Sequence, residues 1–327
     1  MSGEMAKNKA YSNNEKLSKK QFVSTYGSLI GLILLIIIIT VLRPRFISPA
    51  NLRNVFRNAS INGLLAIGMT FVVLTGGIDL SVGAIMGCAG MYSAYFAQSV
   101  KGYPAIVAIL IGLLVGLVFG VFNGFCIAYL KVPAFVGTLG ALSIADSLKF
   151  LLTDAKPIPN LSDSFKTIGG GSFGFIPIPC VIMAVVLIIC FTLFDKTRYG
   201  RYIYAVGGNR NAAHVSGINT KRIICSVYIL TGVLSGTRRC LLLTARVTSG
   251  VTSTGDGYET DAIAAVVIGG TSLAGGKGRL WGTIVGILIM QFLSTGLDML
   301  GVNAYYQMLV KGFVVIGAVM LDGLSSD

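Results

Sequence analysis

An aspartate interrupts one of the most apolar stretches of the chain. This stretch runs from about residue 61 to residue 100, and its polar break, Gly76–Gly83, contains Asp79 and Ser81. An ionised carboxylate near the centre of a bilayer costs several kcal/mol unless it is paired or hydrated. Irregular backbone is tolerated at that depth only where protein or a water-filled cavity surrounds it. The break therefore predicts a membrane protein with a lined path through it.

The composition also favours a polytopic membrane protein. Of the 327 residues, 54% are hydrophobic and 12% are charged, whereas soluble domains carry roughly 25% charged residues. Apolar runs long enough to cross a bilayer recur along the chain, and they predict an all-α fold with about eight to ten transmembrane helices, some broken or re-entrant. We predict a polar cytoplasmic tail over residues 1–25 and a single transmembrane domain over residues 26–325.

The basic residues are grouped in short loops. The net charge of +13 could suggest nucleic acid, but this distribution is the one expected of cytoplasmic loops in a membrane protein. The strongest such loop is residues 195–222, with six Lys and Arg residues against the single Asp195. Arginines at residues 43–57 conflict with this rule if the tail is cytoplasmic. Two arrangements would reconcile them, a kink at Pro44 or a separate interfacial helix over Asn51–Ala59, where Arg53 and Arg57 share one helical face, and the sequence leaves both open.

Residues suited to catalysis or metal binding are scarce. The chain has one histidine, His214, and six cysteines that occur singly in apolar segments. The segment Gly275–Gly278 fails as a phosphate-binding loop, because that motif needs glycine at Thr271 and a hydroxyl residue at Gly278. We therefore predict no catalytic residue, no metal site, no cofactor and no binding of nucleic acid.

The polar break has two interpretations that the sequence leaves open. Gly76 and Gly77 remove side chains where a helix unwinds, and Asp79 could cap the helix that restarts at Ser81. Alternatively, Asp79 could contact a polar solute or a proton. On the first interpretation Asp79→Asn should assemble and keep much of its transport activity.

A second segment matches the first break without gaps. Residues 266–276 agree with residues 73–83 at a valine, two central glycines, a leucine and a final glycine. Corresponding glycine-broken segments in two halves indicate a duplicated transporter whose path lies at the repeat interface. The sequence therefore predicts an internal repeat, with a second break at Gly269, Gly270, Thr271 and Ser272.

The basic loop contains a short helix with its own capping residues. Asn209 is a favourable N-cap, and Gly217 is suited to the position after the last turn. Two helical turns have little stability of their own. The segment is therefore either a solvated turn or a helix that packs on a partner.

These motifs together resemble the permease subunits of bacterial ABC importers for monosaccharides, ribose permeases in particular. The resemblance covers about residues 25–325 and rests on four segments: 76–83, 200–209, 215–219 and 257–276, with 301–308 closest to ribose permeases. It implies a multi-pass protein of the bacterial inner membrane that carries the path for ribose or a related pentose or hexose. The implied partners are a cytoplasmic ABC ATPase that hydrolyses the ATP, an extracytoplasmic sugar-binding protein and a second permease chain, as a homodimer.

The resemblance also implies roles for two sets of residues. The segment that would couple to the ATPase consists of Asn209, Arg210, Asn211, Ala212, Ala213, His214, Val215 and Ser216. The sugar would pass near the broken helices, at Gly76, Gly77, Asp79, Ser81, Gly269, Gly270, Thr271 and Ser272. The alternative functions are an ion-gradient-driven secondary transporter of a small polar solute, for which Asp79 and Asp146 are the candidate titrating groups, and an intramembrane enzyme.

One segment departs from the family. Thr237–Cys240 contains Arg238 and Arg239, where similar proteins carry small and apolar residues. Adjacent residues point about 100° apart on a helix, so one cavity is not expected to hydrate both arginines. A functional pair, a damaging variant and a sequence error are all compatible with this pattern. We expect Arg238→Ala with Arg239→Gly to raise the membrane yield or leave it unchanged.

Overall fold

The computed structural model describes residues 27–245, 255 and 257–326, with the backbone alone at residues 167–170, 239–245, 321–322 and 324–326. The helices in chain order are α1 Gly27–Leu42, α2 Pro49–Leu74, α3 Val82–Phe96, α4 Ala105–Ala128, α5 Ala134–Thr153, α6 Asp163–Gly170, α7 Ile178–Phe191, α8 Arg198–Gly208, α9 Arg210–Val215, α10 Thr220–Ala245, α11 Tyr258–Ile268, α12 Leu280–Met299 and α13 Ala304–Ser326. Short turns at Pro44–Ile47, Ser99–Lys101 and Thr192–Lys196 link some of them.

The only sheet in the described residues is a small hairpin before α7. Its strands are β1 Ser172–Phe173 and β2 Ile176–Pro177, which pair antiparallel with Ser172 opposite Pro177. The hairpin belongs to the polar loop between α5 and α7.

The helix lengths confirm an all-α polytopic membrane protein. Within the described residues, α2, α4, α5, α12 and the helix formed by α7 with the following turn are long and apolar enough to cross a bilayer. Three shorter helices, α1, α3 and the apolar part of α13, are also largely hydrophobic. The helix α10 has 26 residues and packs along α4 and α2.

Helix α2 lies at the centre of the bundle. Nearly every residue from Ser60 to Leu74 is buried, and the helix packs against α10, α12, α7 and α11. Of the two arrangements that the sequence left open, the separate helix over Asn51–Ala59 is wrong, because these residues form the first turns of α2. Pro49 occupies a first-turn position that tolerates proline, and no proline follows that would stop the helix before Leu74.

The helix ends gather on two opposite faces. The inner face carries α8 and α9 from the basic loop, and the backbone of Gly207 there approaches the carbonyl of Leu74 at the end of α2. The outer face carries the β1–β2 hairpin, where Arg53 near the start of α2 donates to Gly174 O at 3.5 Å. The arginines of residues 43–57 therefore lie on the face opposite the basic loop, so the conflict with the charge rule persists.

A seam of glycines joins α4 to α10. On α4 they recur every four residues, and α10 contributes two more; the set is Gly112, Gly116, Gly120, Gly124, Gly232 and Gly236. A Cβ atom on Gly120 would lie 2.8 Å from the Cα of Ile229, closer than ordinary contact. Small residues at such spacing let helix backbones approach closely within a membrane. The seam therefore fixes α4 against α10.

Candidate functional site

The helices α2 and α11 end in the same way. After α2, the amides of Gly76 and Gly77 donate to Val73 O and Val72 O at 2.9 and 3.1 Å. After α11, the amides of Gly270 and Thr271 donate to Val267 O and Val266 O at 2.8 and 3.1 Å. Both patterns are Schellman motifs, and both use a glycine with positive φ, 73° at Gly76 and 84° at Gly270.

These hydrogen bonds change the register of the sequence match. They make Gly76 equivalent to Gly270, whereas the gapless alignment pairs Gly76 with Gly269. The alignment is therefore displaced by one residue at the first central glycine. The shared motif shows that both predicted breaks begin with the same backbone turn, and the internal repeat remains a prediction.

The two breaks meet on the inner side of the bundle. The amide of Gly276 donates to Leu74 O at 2.9 Å, and a Cβ atom on Gly275 would lie 2.7 Å from Gly76 N. Gly207 of α8 closes the third side, since a Cβ there would contact Leu74 O and lie 2.6 Å from Gly276 N. We call this contact of three backbone segments the glycine junction.

Within the first break, Asp79 organises the start of α3. Its side chain is buried, and Oδ1 accepts hydrogen bonds from the amide of Ser81 at 2.9 Å and from its hydroxyl at 2.5 Å. Asn123 of α4 donates to the Ser81 hydroxyl at 2.8 Å. The Tyr228 hydroxyl donates to Ile78 O at 3.1 Å. Ser81 itself occupies the N-cap position of α3, and its side chain makes no capping hydrogen bond. Asp79 therefore forms an Asx turn just before the helix, which is not the N-cap bond that the sequence suggested.

The second break is held by backbone turns and by α8. Thr271 and Ser272 are buried, and the amide of Ser272 donates to Lys277 O at 2.9 Å. The Tyr204 hydroxyl on α8 donates to Gly278 O at 2.8 Å. Burial raises the pKa of the Tyr204 phenol, which keeps this hydroxyl protonated and able to donate. The arm that carries α8 is thus bonded to the second break as well as packed on the first.

The predicted coupling segment forms the short helix α9. The Asn209 side chain accepts from the amide of Ala212 at 2.9 Å, which caps the helix. Ala213 is buried against the bundle, whereas the Val215 side chain is 88% exposed. Arg210 and its neighbours on α9 are also exposed. The segment therefore has one anchored side and one side open to a partner.

A polar cavity lies beside the half of α2 that is nearer to the outer face. No motif of the sequence predicted it. We call it the outer cavity; its volume is about 210 Å³. Its walls come from α2, α11, α12 and α13, and its polar lining residues are Asn58, Asn62, Tyr258, Asp261, Gln291, Ser294, Asp298 and Lys311. The signal was present, because Asn58 and Asn62 are four residues apart on one helix face.

Hydrogen bonds connect the polar groups of the outer cavity. Asn62 donates to Gln291 Oε1 at 3.1 Å, and Gln291 donates to Thr295 Oγ1 at 3.0 Å. Lys311 of α13 lies 2.8 Å from Asp261 Oδ2 of α11. The cavity therefore offers amide donors and acceptors beside a neutralised ion pair. Such a lining suits a hydroxylated solute, because each hydroxyl both donates and accepts hydrogen bonds.

The unusual Arg238 lies beside this cavity. Its side chain is fully buried, and Nη2 donates to Asn62 Oδ1 at 2.6 Å. The guanidinium lies 3.9 Å from the ring centroid of Tyr258, while Nη1 contacts Met86 Sδ. Its Nε has no hydrogen-bond partner among the described residues. The side chain of Arg239 lies outside the described residues.

Two carboxylates stand at the start of α11. Glu259 and Asp261 lie in the first turn of this helix, where the helix dipole favours negative charge. Asp256, three residues before Glu259, lies outside the described residues. Within the part of the chain that the structure describes, no group of three or more His, Cys, Asp or Glu residues is placed to hold a metal ion.

Comparison with known proteins identifies a family. Residues 51–319 match the permease component of the branched-chain amino acid transport system. The chain is 44% identical over 298 residues to the ribose import permease protein RbsC of Bacillus subtilis (strain 168), covering 90% of this chain and 92% of that protein.

Relatives with other substrates in their names are more distant. Identity is 37% over 306 residues with the D-allose transport system permease protein AlsC of Escherichia coli (strain K12), covering 93% of both chains. It is 35% over 328 residues with the galactose/methyl galactoside import permease protein MglC of Salmonella typhimurium (strain LT2), covering 94% of this chain and 97% of that protein. No solved structure gives a significant match.

Proposed function

This chain belongs to the family of the branched-chain amino acid transport permease component, is a permease subunit of an ABC sugar importer in the bacterial inner membrane, and on that premise we propose that it carries a monosaccharide, ribose first among them. The sugar is proposed because the relatives at 40–44% identity are named as ribose import permeases. The polar lining of the outer cavity, with its amide groups and the Asp261–Lys311 ion pair, supports a hydroxylated solute.

The glycine junction is the observation that supports ATP-driven transport. The arm formed by α8 and α9 presents exposed side chains on the inner face, and the same arm contacts both helix breaks through Gly207. A partner that pushes on α9 would therefore move α8 against Leu74 and Gly276. An ATPase can shift the permease between two states in this way, provided that it binds those states with different affinity.

The path would connect the outer cavity with the breaks. Along α2, Asn62 lines the cavity and Gly76 begins the first break, about 20 Å further along the helix at 1.5 Å per residue. Buried apolar residues of α2, such as Ile67 and Phe71, fill the interval. We infer that this interval is the closed gate in the state that the structure represents.

The partners follow from the same family. Importers of this class work with a cytoplasmic ATPase and an extracytoplasmic substrate-binding protein. The ATPase supplies the hydrolysis, so we propose that this chain has no catalytic residue of its own. We also propose that two copies of the chain form the membrane core.

Reconstitution tests the proposal. The permease, its ATPase and its binding protein are placed in liposomes, and uptake of labelled ribose is measured with and without internal ATP. Uptake that needs ATP and survives collapse of proton and sodium gradients is the expected result. Uptake that follows an ion gradient without ATP would instead establish a secondary transporter.

A further inference from the structure

A second cavity opens on the inner face beside α9. We call it the inner cavity; its volume is about 920 Å³. It lies between the first break, the link from α4 to α5, α9 and the start of α10. The residues that matter here are Lys131, Arg210, His214, Lys221, Gly76 and Tyr228.

The charge of the inner cavity is one-sided. Lys131, Arg210 and Lys221 line it, and none of its lining residues is Asp or Glu. All three side chains are exposed, and the ion pairs of the described residues do not use them. The nearest ring to the Lys221 ammonium is that of Tyr129, whose centroid is 5.9 Å away. Within the described residues, these three cations therefore line one cavity with no acidic side chain beside them.

Lys131 has an unfavourable backbone conformation. Lys131 has a φ of 60°, a left-handed conformation that is uncommon for a residue with a long side chain. Pro133 begins the turn into α5 two residues later. The link thus holds a lysine in a conformation that glycine would adopt more easily, at the mouth of the cavity.

The cavity lies beside an apolar surface that is suited to lipid. Phe125 and Tyr129 stack near the inner end of α4 with ring centroids 5.6 Å apart, and aromatic rings of this kind gather at membrane–water interfaces. Beyond them, Leu130, Phe135 and Val136 are 60%, 56% and 57% exposed. A ligand with an anionic head and apolar chains would match both surfaces at once.

We propose that the inner cavity binds the phosphate headgroup of an anionic phospholipid, with its acyl chains along the exposed face of α4 and α5. Basic pockets between membrane helices on the cytoplasmic side bind such headgroups. An acidic segment of the ATPase is the competing occupant. It is disfavoured because the cavity is flanked by apolar side chains at the level of Tyr129. Since Gly76 and Arg210 both line the cavity, a bound headgroup would also tie the first break to α9.

Native mass spectrometry of the purified permease tests the proposal. The protein is placed in nanodiscs of phosphatidylcholine with or without phosphatidylglycerol, and retained lipids are counted. The test variant combines Lys131→Gln, Arg210→Gln and Lys221→Gln. The control combines Lys196→Gln, Arg198→Gln and Arg201→Gln, which removes the same charge from exposed residues of the inner face outside the cavity lining.

Each direct charge-assisted hydrogen bond to the phosphate contributes roughly tenfold in affinity, so the test variant, which loses three such donors, should bind phosphatidylglycerol at least about 100-fold more weakly, whereas the control loses none. The control should bind phosphatidylglycerol like the wild type. It should also gain as much thermal stability from this lipid as the wild type does. Equal loss in both variants would overturn the proposal, because it would reflect general attraction to charge. Equal stabilisation by free glycerol phosphate in phosphatidylcholine discs would overturn it in favour of a soluble anion.

The ATPase is tested separately. If the test variant binds lipid like the wild type but no longer binds the ATPase, the cavity serves the partner and the proposal fails. None of the lipid measurements requires transport, so their failure would leave the importer function untouched.

Discussion

Replacement of Asp79 distinguishes a group that holds the turn before α3 from a group that contacts the sugar. Its Oδ1 holds two donors of Ser81, the amide at 2.9 Å and the hydroxyl at 2.5 Å. Asparagine keeps an oxygen at this position, and its amide nitrogen replaces Oδ2, which has no hydrogen-bond partner in the described part of the chain. Alanine removes the acceptor and leaves a buried amide unsatisfied.

The structure sets the size of both effects. An unsatisfied buried donor costs about 1–3 kcal/mol, so we expect Asp79→Ala to lower the unfolding temperature by about 2–6 °C. Asp79→Asn loses the charge assistance of the bonds but also removes a buried charge, so the two effects should offset each other to within about 1 kcal/mol. We therefore expect the asparagine variant to assemble normally and to keep most ATP-driven uptake.

Two measurements on the same nanodisc or liposome preparation test this prediction. Thermal unfolding reports the stability of the turn that Asp79 holds, and ribose uptake reports the transport path. Asp154→Asn is the control, since Asp154 is exposed after α5 and its φ of 49° is one that asparagine tolerates. A purely structural role for Asp79 is refuted if Asp79→Asn unfolds like the wild type but no longer transports sugar, because the carboxylate would then act on the solute.

Three further predictions concern the seam, the outer cavity and the arginine pair. Gly120→Ala places a Cβ atom 2.8 Å from the backbone of α10 and should lower the free energy of unfolding by about 1–3 kcal/mol. The control Gly140→Ala has open space around its Cβ and should leave this free energy unchanged. Equal losses of stability in both variants would contradict the close contact of α4 with α10. Gln291→Leu removes a donor and an acceptor from the outer cavity, so we expect the sugar concentration for half-maximal uptake to rise about fivefold to tenfold; an unchanged value would exclude Gln291 from the path. Arg238→Ala with Arg239→Gly should raise the membrane yield or leave it unchanged, because each arginine costs about 2.5–3.5 kcal/mol on insertion, whereas a clear drop would show that the bonds of Arg238 outweigh this cost.

Hydropathy predicted most of the fold, because a long apolar run in a membrane protein has few alternatives to a helix. The apolar runs at residues 104–130 and 134–152, for example, each predict one membrane span, and α4 and α5 match these runs within two residues at each end. The error at Asn51–Ala59 has a clear cause. Two arginines on one face suggested an interfacial helix, but local charge does not end a helix, and α2 continues through these residues.

The candidate site was predictable only in part. Glycine pairs marked both breaks, and a gapless match suggested that they were related, but the register and the contact of Gly276 with Leu74 depend on tertiary packing. The outer cavity was missed because Asn62, Asp261 and Gln291 lie far apart in sequence. Polar residues at helical spacing on a largely buried helix, as on α2, were the available signal.

The seam between α4 and α10 has a mechanical consequence. A side chain can change its rotamer when a neighbouring helix slides past it, but a row of glycines meets the opposite backbone directly and has no rotamers to change. Sliding or unwinding along this line would therefore require the two axes to separate. During a transport cycle α4 and α10 should turn together as one rigid body. The bending must then be concentrated in the chain segments that flank these two helices, where the positive-φ residues Gly102 before α4 and Gly217 before α10 provide the hinges.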